Sequence, residues 1–495
     1  MIRGAAIART IGVALLLAPA LAPSLRAQAP GGRCNIELTP ANDSLRLTTT
    51  ASTPNGPRNV FVGGRVLAKC INQDVRLLAD SAEWYQQAQV LYLIGNVRYS
   101  EPRARVSSDL MTYFQADERL LATGSVEATL PSGSVMRGPQ ATYFRAVRGL
   151  RPAARLEAVQ RPRLWLSQRD SVGKSTEPVQ VTANQITTDN DSLVYAGGQV
   201  EITRSDLDAR SDSAFLDSGH ELARLMIKPV IIGKGERGYT LRGRQVELYT
   251  RNRVVQRVLA QAEARVTSED LLLTSDTIDL RVDRNRAQAA FIWGASRARA
   301  VSPDRDLIAD SMAVRMPDQQ LREVRAFRHA VATTMPDTAT VRSGEKDWLK
   351  GDTILAFFDS TARTAPARAA GAAPAPTADS ARKPQLREMQ AIGRASARYQ
   401  VAAEGGTPER PGINYSRGDR ISVVMDSGGV SRVQIDEHAV GVYLEPIRDS
   451  LTVPRAPADS ASPPAPAQPP APTAPATRPA SRPPVVPPRS SQGRP

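Results

Sequence analysis

The chain of 495 residues is poor in the side chains that most enzymatic and metal chemistry requires. It has two cysteines, three histidines and 5% aromatic residues. His220, His329 and His438 are far apart, and no pair has the spacing of metal ligands, so a zinc site is not expected. The Gly-x-Ser-x-Gly nucleophile elbow is absent, and the GKG at 233–235 lacks the following helix of a phosphate loop. We therefore predict no enzymatic activity, no metal and no cofactor.

Long apolar runs are missing beyond residues 1–29. That segment has Arg3 and Arg9, then the apolar run IGVALLLAPALA, then small residues at 27–29. This is the pattern of a secretory signal peptide, and its apolar run is too short to span a bilayer. The sequence thus predicts an exported, soluble protein.

Only Cys34 and Cys70 are available for a disulfide. Exported chains meet oxidising conditions, which favours a bond between them, and the alternative is two free thiols. A bond of this span would contribute roughly 4 kcal/mol by restricting the unfolded chain. It would also fasten the N-terminal segment to the first repeat.

Basic residues outnumber acidic residues, 64 to 50, and the formal net charge is +14. Such an excess suggests an anionic partner. No basic cluster with interleaved aromatic residues is present, so we do not expect nucleic acid binding. An anionic lipid or glycolipid is the better candidate, and the alternative is a general use of arginine without a specific role.

The sequence does contain a repeated unit, which occurs about ten times. Its clearest copies are ADSAEWYQQAQVLYLIGNVRY and SDLMTYFQADERLLATGSVEA, which begin at 79 and 108. Asp80 and Asp109 are 29 residues apart, and so are Gly95 and Gly124. A period of this size predicts a solenoid or a stacked array.

Each unit has the pattern of two strands joined by a short polar turn. Apolar residues alternate with a period of two, and the turns are rich in Asp, Asn and Gly. Glycine inside a strand, as at Gly95 and Gly124, predicts a bend or bulge. We therefore predict an all-β fold, a stacked antiparallel β-jellyroll that is V-shaped and solenoid-like, about 100 Å long at about 4.8 Å per strand.

Alternation places one set of apolar and small residues on the inner face of this stack. Many inward positions hold small residues, namely Gly95, Ala122, Gly124, Ala128, Ala196 and Gly198, which predicts room for an alkyl chain rather than a closed core; the alternative is that glycine and alanine only permit tight bends. These lipid-facing candidates are Leu91, Leu93, Val97, Tyr99, Leu120, Ala122, Val126, Ala128, Val194, Ala196, Val200 and Ile202.

Composition divides the chain further. The tail is rich in Pro, Ala, Ser and Arg and is predicted to be disordered, since it cannot bury enough apolar surface. The predicted divisions are 1–29 signal peptide, 30–70 N-terminal extension with the candidate disulfide, 71–205 strongest repeats, 206–360 further repeats, 361–384 low-complexity insertion, 385–446 terminal repeats and 447–495 disordered tail.

The repeat resembles the OstA-like domain family. The shared pattern is A-D-x-A/L-x-Y, a polar turn, an apolar strand and G-N/S-V; it is strongest over 71–150, fair over 179–205 and weaker to about 440. That family includes LptA-type lipopolysaccharide transport proteins and the N-terminal domain of LptD. The resemblance implies a periplasmic bridge or carrier whose interior holds acyl chains, and which docks similar jellyrolls by strand addition at its edges. It also implies a location in the periplasm, toward the inner face of the outer membrane. This chain is far longer than the short bridge proteins and has a basic tail.

Two other readings remain open. The first is a structural or adhesion β-solenoid that binds proteins at its edges and has a closed core. The second is a polysaccharide-active β-helix enzyme, which needs clustered acids on an exposed face. An aspartate recurs once per unit, but we assign these residues to strand-to-turn positions, where Asp satisfies backbone N–H groups.

Overall fold

The computed structural model describes residues 32–40, 46–51, 56–169, 175–234, 238–252, 254–268, 271–284, 286–336, 341–359, 385–401, 411–426 and 429–445. In these residues the fold is all-β, as predicted, with 76% of residues in strands. The strands form one antiparallel sheet of 28 strands. The predicted signal peptide, the low-complexity insertion and the tail lie outside the described residues.

The strands follow one another along the chain with short connections. They are β1 Ile36–Pro40, β2 Arg46–Ala51, β3 Arg58–Cys70, β4 Arg76–Tyr85, β5 Val90–Glu101, β6 Ala104–Phe114, β7 Arg119–Thr129, β8 Val135–Phe144, β9 Arg155–Val159, β10 Arg163–Arg169, β11 Ser175–Thr182, β12 Gln185–Asp189, β13 Leu193–Thr203, β14 Leu207–Asp217, β15 Leu222–Met226, β16 Val230–Gly233, β17 Tyr239–Arg242, β18 Gln245–Arg251, β19 Val254–Thr267, β20 Leu272–Asp283, β21 Arg286–Val301, β22 Arg305–Arg315, β23 Glu323–Thr334, β24 Asp347–Asp359, β25 Gln385–Val401, β26 Gly412–Asp426, β27 Gly429–Asp436 and β28 Val440–Leu444. A short 3-10 helix, Pro317–Gln319, precedes β23.

These strands make 22 layers, because six layers consist of two short strands in line. The split layers are β1 with β2, β9 with β10, β11 with β12, β15 with β16, β17 with β18, and β27 with β28. Two layers per unit give eleven repeats among the described residues, against about ten predicted from the sequence. The order of layers follows the chain, so each unit packs only on its neighbours.

Each layer bends at its middle, and the bend divides the sheet into two arms. In β5 the register with β6 shifts between Ile94 and Val97, which marks a bulge. We call the half with Leu91 arm A and the half with Val97 arm B. The inward side chains of both arms belong to one hydrophobic core, so the two arms face each other. The predicted V-shaped stack of bent hairpins is thereby confirmed.

Two consecutive residues with positive φ form the bend in every second layer except β21, where Gly294 alone has a positive φ. Gly95 and Asn96 have φ of 79° and 46°, and Gly124 and Ser125 have 79° and 45°. At several bends the strand opposite supplies an aspartate that accepts a hydrogen bond from the bend, as Asp80 does from Asn96 Nδ2 at 2.7 Å, whereas Asn184 lies opposite Gly198. The recurring aspartates thus lie at mid-strand bends. Their assignment to strand-to-turn positions was wrong, because the bulge itself provides polar groups that need a partner.

The Gly124 bend gives a test of this geometry. A Cβ built on Gly124 would lie 2.4 Å from Asp109 Oδ2, whereas one on Gly149, which has the same φ of 79°, meets no atom within 4 Å. Both alanine variants bear the cost of a left-handed conformation, about 1–2 kcal/mol, but only Gly124→Ala adds a clash of about 1–3 kcal/mol. Amide exchange in β6 and β7 should therefore accelerate more in Gly124→Ala. Equal acceleration in both variants would refute the close packing at the bend.

The predicted N-terminal extension, 30–70, belongs to the sheet. β1 pairs with residues 66–70 of β3, and β2 pairs with residues 58–63. The segment VVQRVLAQAEARV lies in β19, and residues 323–327 of LREVRAF lie in β23. Segments with a helix-forming composition are therefore in strands here, because tertiary packing outweighs local propensity.

Candidate functional site

The predicted lipid-facing residues all lie on the inner face, between the two arms. Each is buried, with at most 5% of its surface exposed. They are Leu91, Leu93, Val97, Tyr99, Leu120, Ala122, Val126, Ala128, Val194, Ala196, Val200 and Ile202. The inner face is apolar along the stack, and the twelve residues divide into two groups according to whether the gap between the arms is closed above them.

A strap closes this gap, which we call the mouth, over the first units. The strap is residues 32–35, and it is joined to the end of arm B by the disulfide between Cys34 and Cys70, whose Cα atoms are 5.0 Å apart. On the other side it contacts arm A, where Gln115 Nε2 donates to the Cys34 carbonyl at 2.9 Å. The Cys34 N–H donates to Glu118 Oε1 at 2.5 Å. The predicted disulfide is therefore present, and it holds a crossing from one arm to the other.

A buried arginine joins the same two arms beside the strap. Arg145 contacts Glu118 of arm A, with Nη1 and Oε2 2.6 Å apart, and Glu101 at the end of arm B, with Nε and Oε2 3.1 Å apart. Its Nη2 also donates to Gln73 Oε1 at 2.9 Å. The side chains of Arg145, Glu101 and Glu118 are 3%, 8% and 0% exposed, so this ionic clasp is sealed from water.

Tyrosine hydroxyls complete the clasp. Tyr113 donates a hydrogen bond to Glu118, and Tyr143 donates one to Glu101. Burial raises the pKa of Tyr99, Tyr113 and Tyr143, which keeps these phenols protonated and able to donate. Each glutamate thus has both a cation and a donor, as a buried carboxylate requires. Eight of the twelve candidates, from Leu91 to Ala128, lie in the units that the strap and the clasp close.

A second polar bridge lies farther along the stack. Ser132, in a turn of arm B, donates from its backbone N–H to Asp191 Oδ2 at 2.6 Å and from Oγ to Oδ1 at 2.9 Å. Asp191 is in a turn of arm A. The Asp191 carboxylate is partly shielded from solvent, and this burial raises its pKa. The bridge marks the boundary between the closed units and an open groove.

The open groove follows directly. A cavity of about 140 Å³ lies between the arms there and reaches solvent at the mouth. Its floor is apolar and includes Leu166, Val179, Val194, Ile202, Leu207 and Leu225. Its rim is polar and includes Ser134, Asp191, Ser192, Arg204, Ser218 and Thr250. Val194 and Ile202 are therefore the two predicted residues that line this cavity.

Beyond the cavity the inward side chains near the mouth stay partly exposed, while those near the bend are buried. Val282 and Leu307 show partial exposure, whereas Ala298 and Ala309 are inaccessible to solvent. Alanines continue along the inner face of arm B to Ala397. The apolar inner face thus extends past the cavity toward the C-terminal layers.

The last layer exposes an apolar strand. β28 pairs with β26 and, within the described residues, with no other strand. Val440, Val442 and Leu444 are 62%, 54% and 49% exposed. A free strand edge with exposed apolar side chains can accept a strand from a partner. These residues lie at the end of the predicted terminal repeats, 385–446.

A wider depression of about 650 Å³ lies on the outer face of arm A, lined by residues that include Tyr85, Tyr92, Ile94 and Leu110. It has no continuity with the interior, because the inward neighbours Leu91 and Leu93 are fully buried. Although it is the roomier of the two cavities, it therefore adds nothing to the groove between the arms.

Other candidate chemistry is sparse. No group of three or more metal-ligating side chains occurs in the part of the chain that the structure describes. His329 and His438 lie at bends, where their Nδ1 atoms are 3.0 Å from Asp310 and Asp419. None of the described residues forms a helix of the length and apolarity needed to cross a membrane.

The clasp was missed by sequence reasoning. Arg145 is separated from Glu118 by 27 residues and from Glu101 by 44, and these residues lie at strand ends, where alternation carries no signal. Comparisons with protein-family models and with curated proteins gave no match to this chain. The resemblance to the OstA-like family therefore rests on the repeat pattern itself.

Proposed function

We propose that this protein is a periplasmic carrier or bridge of the OstA-like type, which moves lipopolysaccharide or a related amphiphile toward the outer membrane. The observation that carries the proposal is the groove between the arms, with its apolar floor and polar rim. An alkyl chain on that floor would contribute about 0.8 kcal/mol per buried methylene. The polar part of an amphiphile would remain at the mouth, in contact with water.

The volume of the groove limits the size of the ligand that it can hold in this conformation. A dry cavity of about 150 Å³ is known to hold one benzene, and this cavity of about 140 Å³ is similar. A long acyl chain therefore requires the arms to move apart along the open units. The rim carries both signs of charge, Asp191 and Arg204, so it does not by itself select an anionic headgroup.

Docking at the ends fits the same proposal. An amphiphile that leaves the groove needs a continuation of the apolar face, and β28 offers an unpaired strand edge whose inward positions are Gly441 and Tyr443. A related jellyroll added there by strand pairing would extend the inner face of arm B. In this proposal, the partner that docks at each end determines the direction in which the amphiphile moves.

The alternative is an adhesion β-solenoid with a closed core. The observation that favours it is the burial of all twelve candidates, each of which is at most 5% exposed. That reading predicts no lipid anywhere in the interior. The two functions therefore differ at the open groove, where a carrier holds lipid and a solenoid does not.

Site-specific photocross-linking separates them. A small diazirine amino acid at Ile202 faces the groove floor, and one at Glu201 faces outward in the same strand. A carrier should yield a lipid adduct, identified by mass spectrometry, at Ile202 and little at Glu201. The melting temperature of each variant shows that the fold is retained.

A further inference from the structure

The outer face of arm B carries a line of basic residues. Cross-strand pairing places one residue of each layer in register over 18 layers, from Arg98 to Arg417. Nine of these positions are basic and two, Glu127 and Glu201, are acidic. The basic residues, which we call the arginine column, are Arg98, Arg137, Arg163, Arg210, Arg242, Arg265, Arg299, Lys350 and Arg417.

Most charges of the arginine column have no counter-ion among the residues that the structure describes. Arg137 pairs with Glu127 and Arg299 pairs with Asp306. Six others are exposed and have no acidic partner among the described residues: Arg98, Arg163, Arg210, Arg242, Arg265 and Arg417.

The outer face of arm A is different. Its arginines are largely paired with carboxylates of the same face, as Arg224 is with Glu247 and Arg257 is with Asp279. Arg155, Arg281 and Arg325 are paired in the same way. The excess of positive charge is therefore concentrated on one outer face rather than spread over the molecule.

Two steps of the column place arginines directly opposite each other. Arg137 pairs with Arg163 in register, and Arg242 pairs with Arg265. Like charges at directly opposite positions destabilise a sheet. An anion bound between the two guanidinium groups would remove this repulsion and form charge-assisted hydrogen bonds with both.

The shape of the column indicates the kind of anion. Neighbouring strands in a sheet are rotated by about 20° on average, so we expect a line that crosses 18 layers to wind around the stack. A flat bilayer meets only part of such a line, whereas a flexible linear polymer can follow it.

Nucleic acid fits less well than a sugar polymer. Bases need free aromatic faces on which to stack. In the adjacent row the ring of Trp165 is covered by Arg137, and the ring of Trp348 by Lys350. The repeated guanidinium groups of the arginine column are instead complementary to the repeated carboxylates or phosphates of an acidic sugar polymer.

We propose that the arginine column binds an acidic polysaccharide along the outer face of arm B. This interaction uses the face opposite to the lipid groove and does not depend on the proposed carrier function. A variant that blocks the groove should therefore still bind the polysaccharide. A protein that binds no polysaccharide could still carry lipid in the groove.

The test uses the full chain and polygalacturonate, a linear polymer with one carboxylate per sugar. The variant Arg163→Thr/Arg242→Thr/Arg265→Thr removes three unpaired charges, and threonine already occupies Thr182 and Thr274 of this column. The control Arg315→Thr/Arg420→Thr/Arg432→Thr removes three exposed charges from the outer face of arm A. Uncharged dextran and vesicles of anionic phospholipid are the comparison ligands.

We expect wild-type protein to bind polygalacturonate at low salt and to release it at high salt, because exposed ion pairs are screened. The column variant should bind about tenfold more weakly, since each exposed pair contributes about a twofold to fivefold factor, and the control should stay within about twofold. Equal losses in both variants would show an effect of net charge alone and overturn the proposal. Preference for the vesicles, or binding that salt does not weaken, would overturn it as well. Unchanged melting temperatures establish that both variants are folded.

Discussion

Replacement of Arg145 by alanine is expected to lower the local free energy of unfolding around the clasp by about 3–5 kcal/mol. The variant leaves Glu101 and Glu118 buried without their cation, and the loss of one partner of a buried pair costs far more than the pair contributes. Native-state amide exchange in β6 and β7 measures this energy locally. A local measurement is needed because long repeat arrays do not unfold as a single two-state unit.

Arg137→Ala is the matched control for this prediction. Arg137 also pairs with a glutamate, but its side chain is 60% exposed, and such pairs contribute about 0–1 kcal/mol. The triple variant Glu101→Gln/Glu118→Gln/Arg145→Met should recover part of the loss, because it removes every buried charge of the clasp. If Arg145→Ala accelerated exchange no more than Arg137→Ala, the closed mouth would not depend on the clasp.

Removal of the disulfide is expected to have an effect of similar size. Cys34→Ser/Cys70→Ser opens a covalent loop with a sequence separation of 36, which in the chain-entropy model costs roughly 4 kcal/mol. The loss should appear in the first units, where β1 and the strap pack on β3. Exchange at residues 58–70 and 32–36 should rise together.

A reducing agent provides the control for the disulfide. It should shift the wild type to the behaviour of the double variant and leave the double variant unchanged. A shift of the double variant under reduction would mean that another effect had been measured. Because the Cys34 N–H donates to Glu118, the losses in Arg145→Ala and in the double variant should not be additive.

Much of this architecture could be predicted from local pattern, because a period of two fixes which side chains are buried. The twelve inner-face residues and the bends at Gly95 and Gly124 are examples. The role of the recurring aspartates was not predictable, since it depends on the polar groups that a bulge exposes. Strand β28 lies within the predicted terminal repeats, but its pairing with β26 was not predictable, because the paired residues are 23 or more positions apart.

The two features with the most functional content arise from residues that are distant in sequence. The clasp joins strand ends on opposite arms. The arginine column can be recognised only when the register of 18 layers is known, and loops of unequal length prevent this register from being read from the sequence. The formal net charge of +14 does not indicate where on the surface the excess of positive charge lies. Only the pairing of strands shows that arm A balances its arginines and that arm B does not.

The most direct test of the central claim compares lipid capture at three positions of one protein. The diazirine at Ile202 lies on the open groove, that at Tyr99 lies beneath the clasp, and that at Glu201 faces outward. The account predicts an abundant lipid adduct at Ile202, little at Tyr99 while the disulfide is intact, and little at Glu201. Lipid recovered equally from all three positions, or from Glu201 alone, would contradict it.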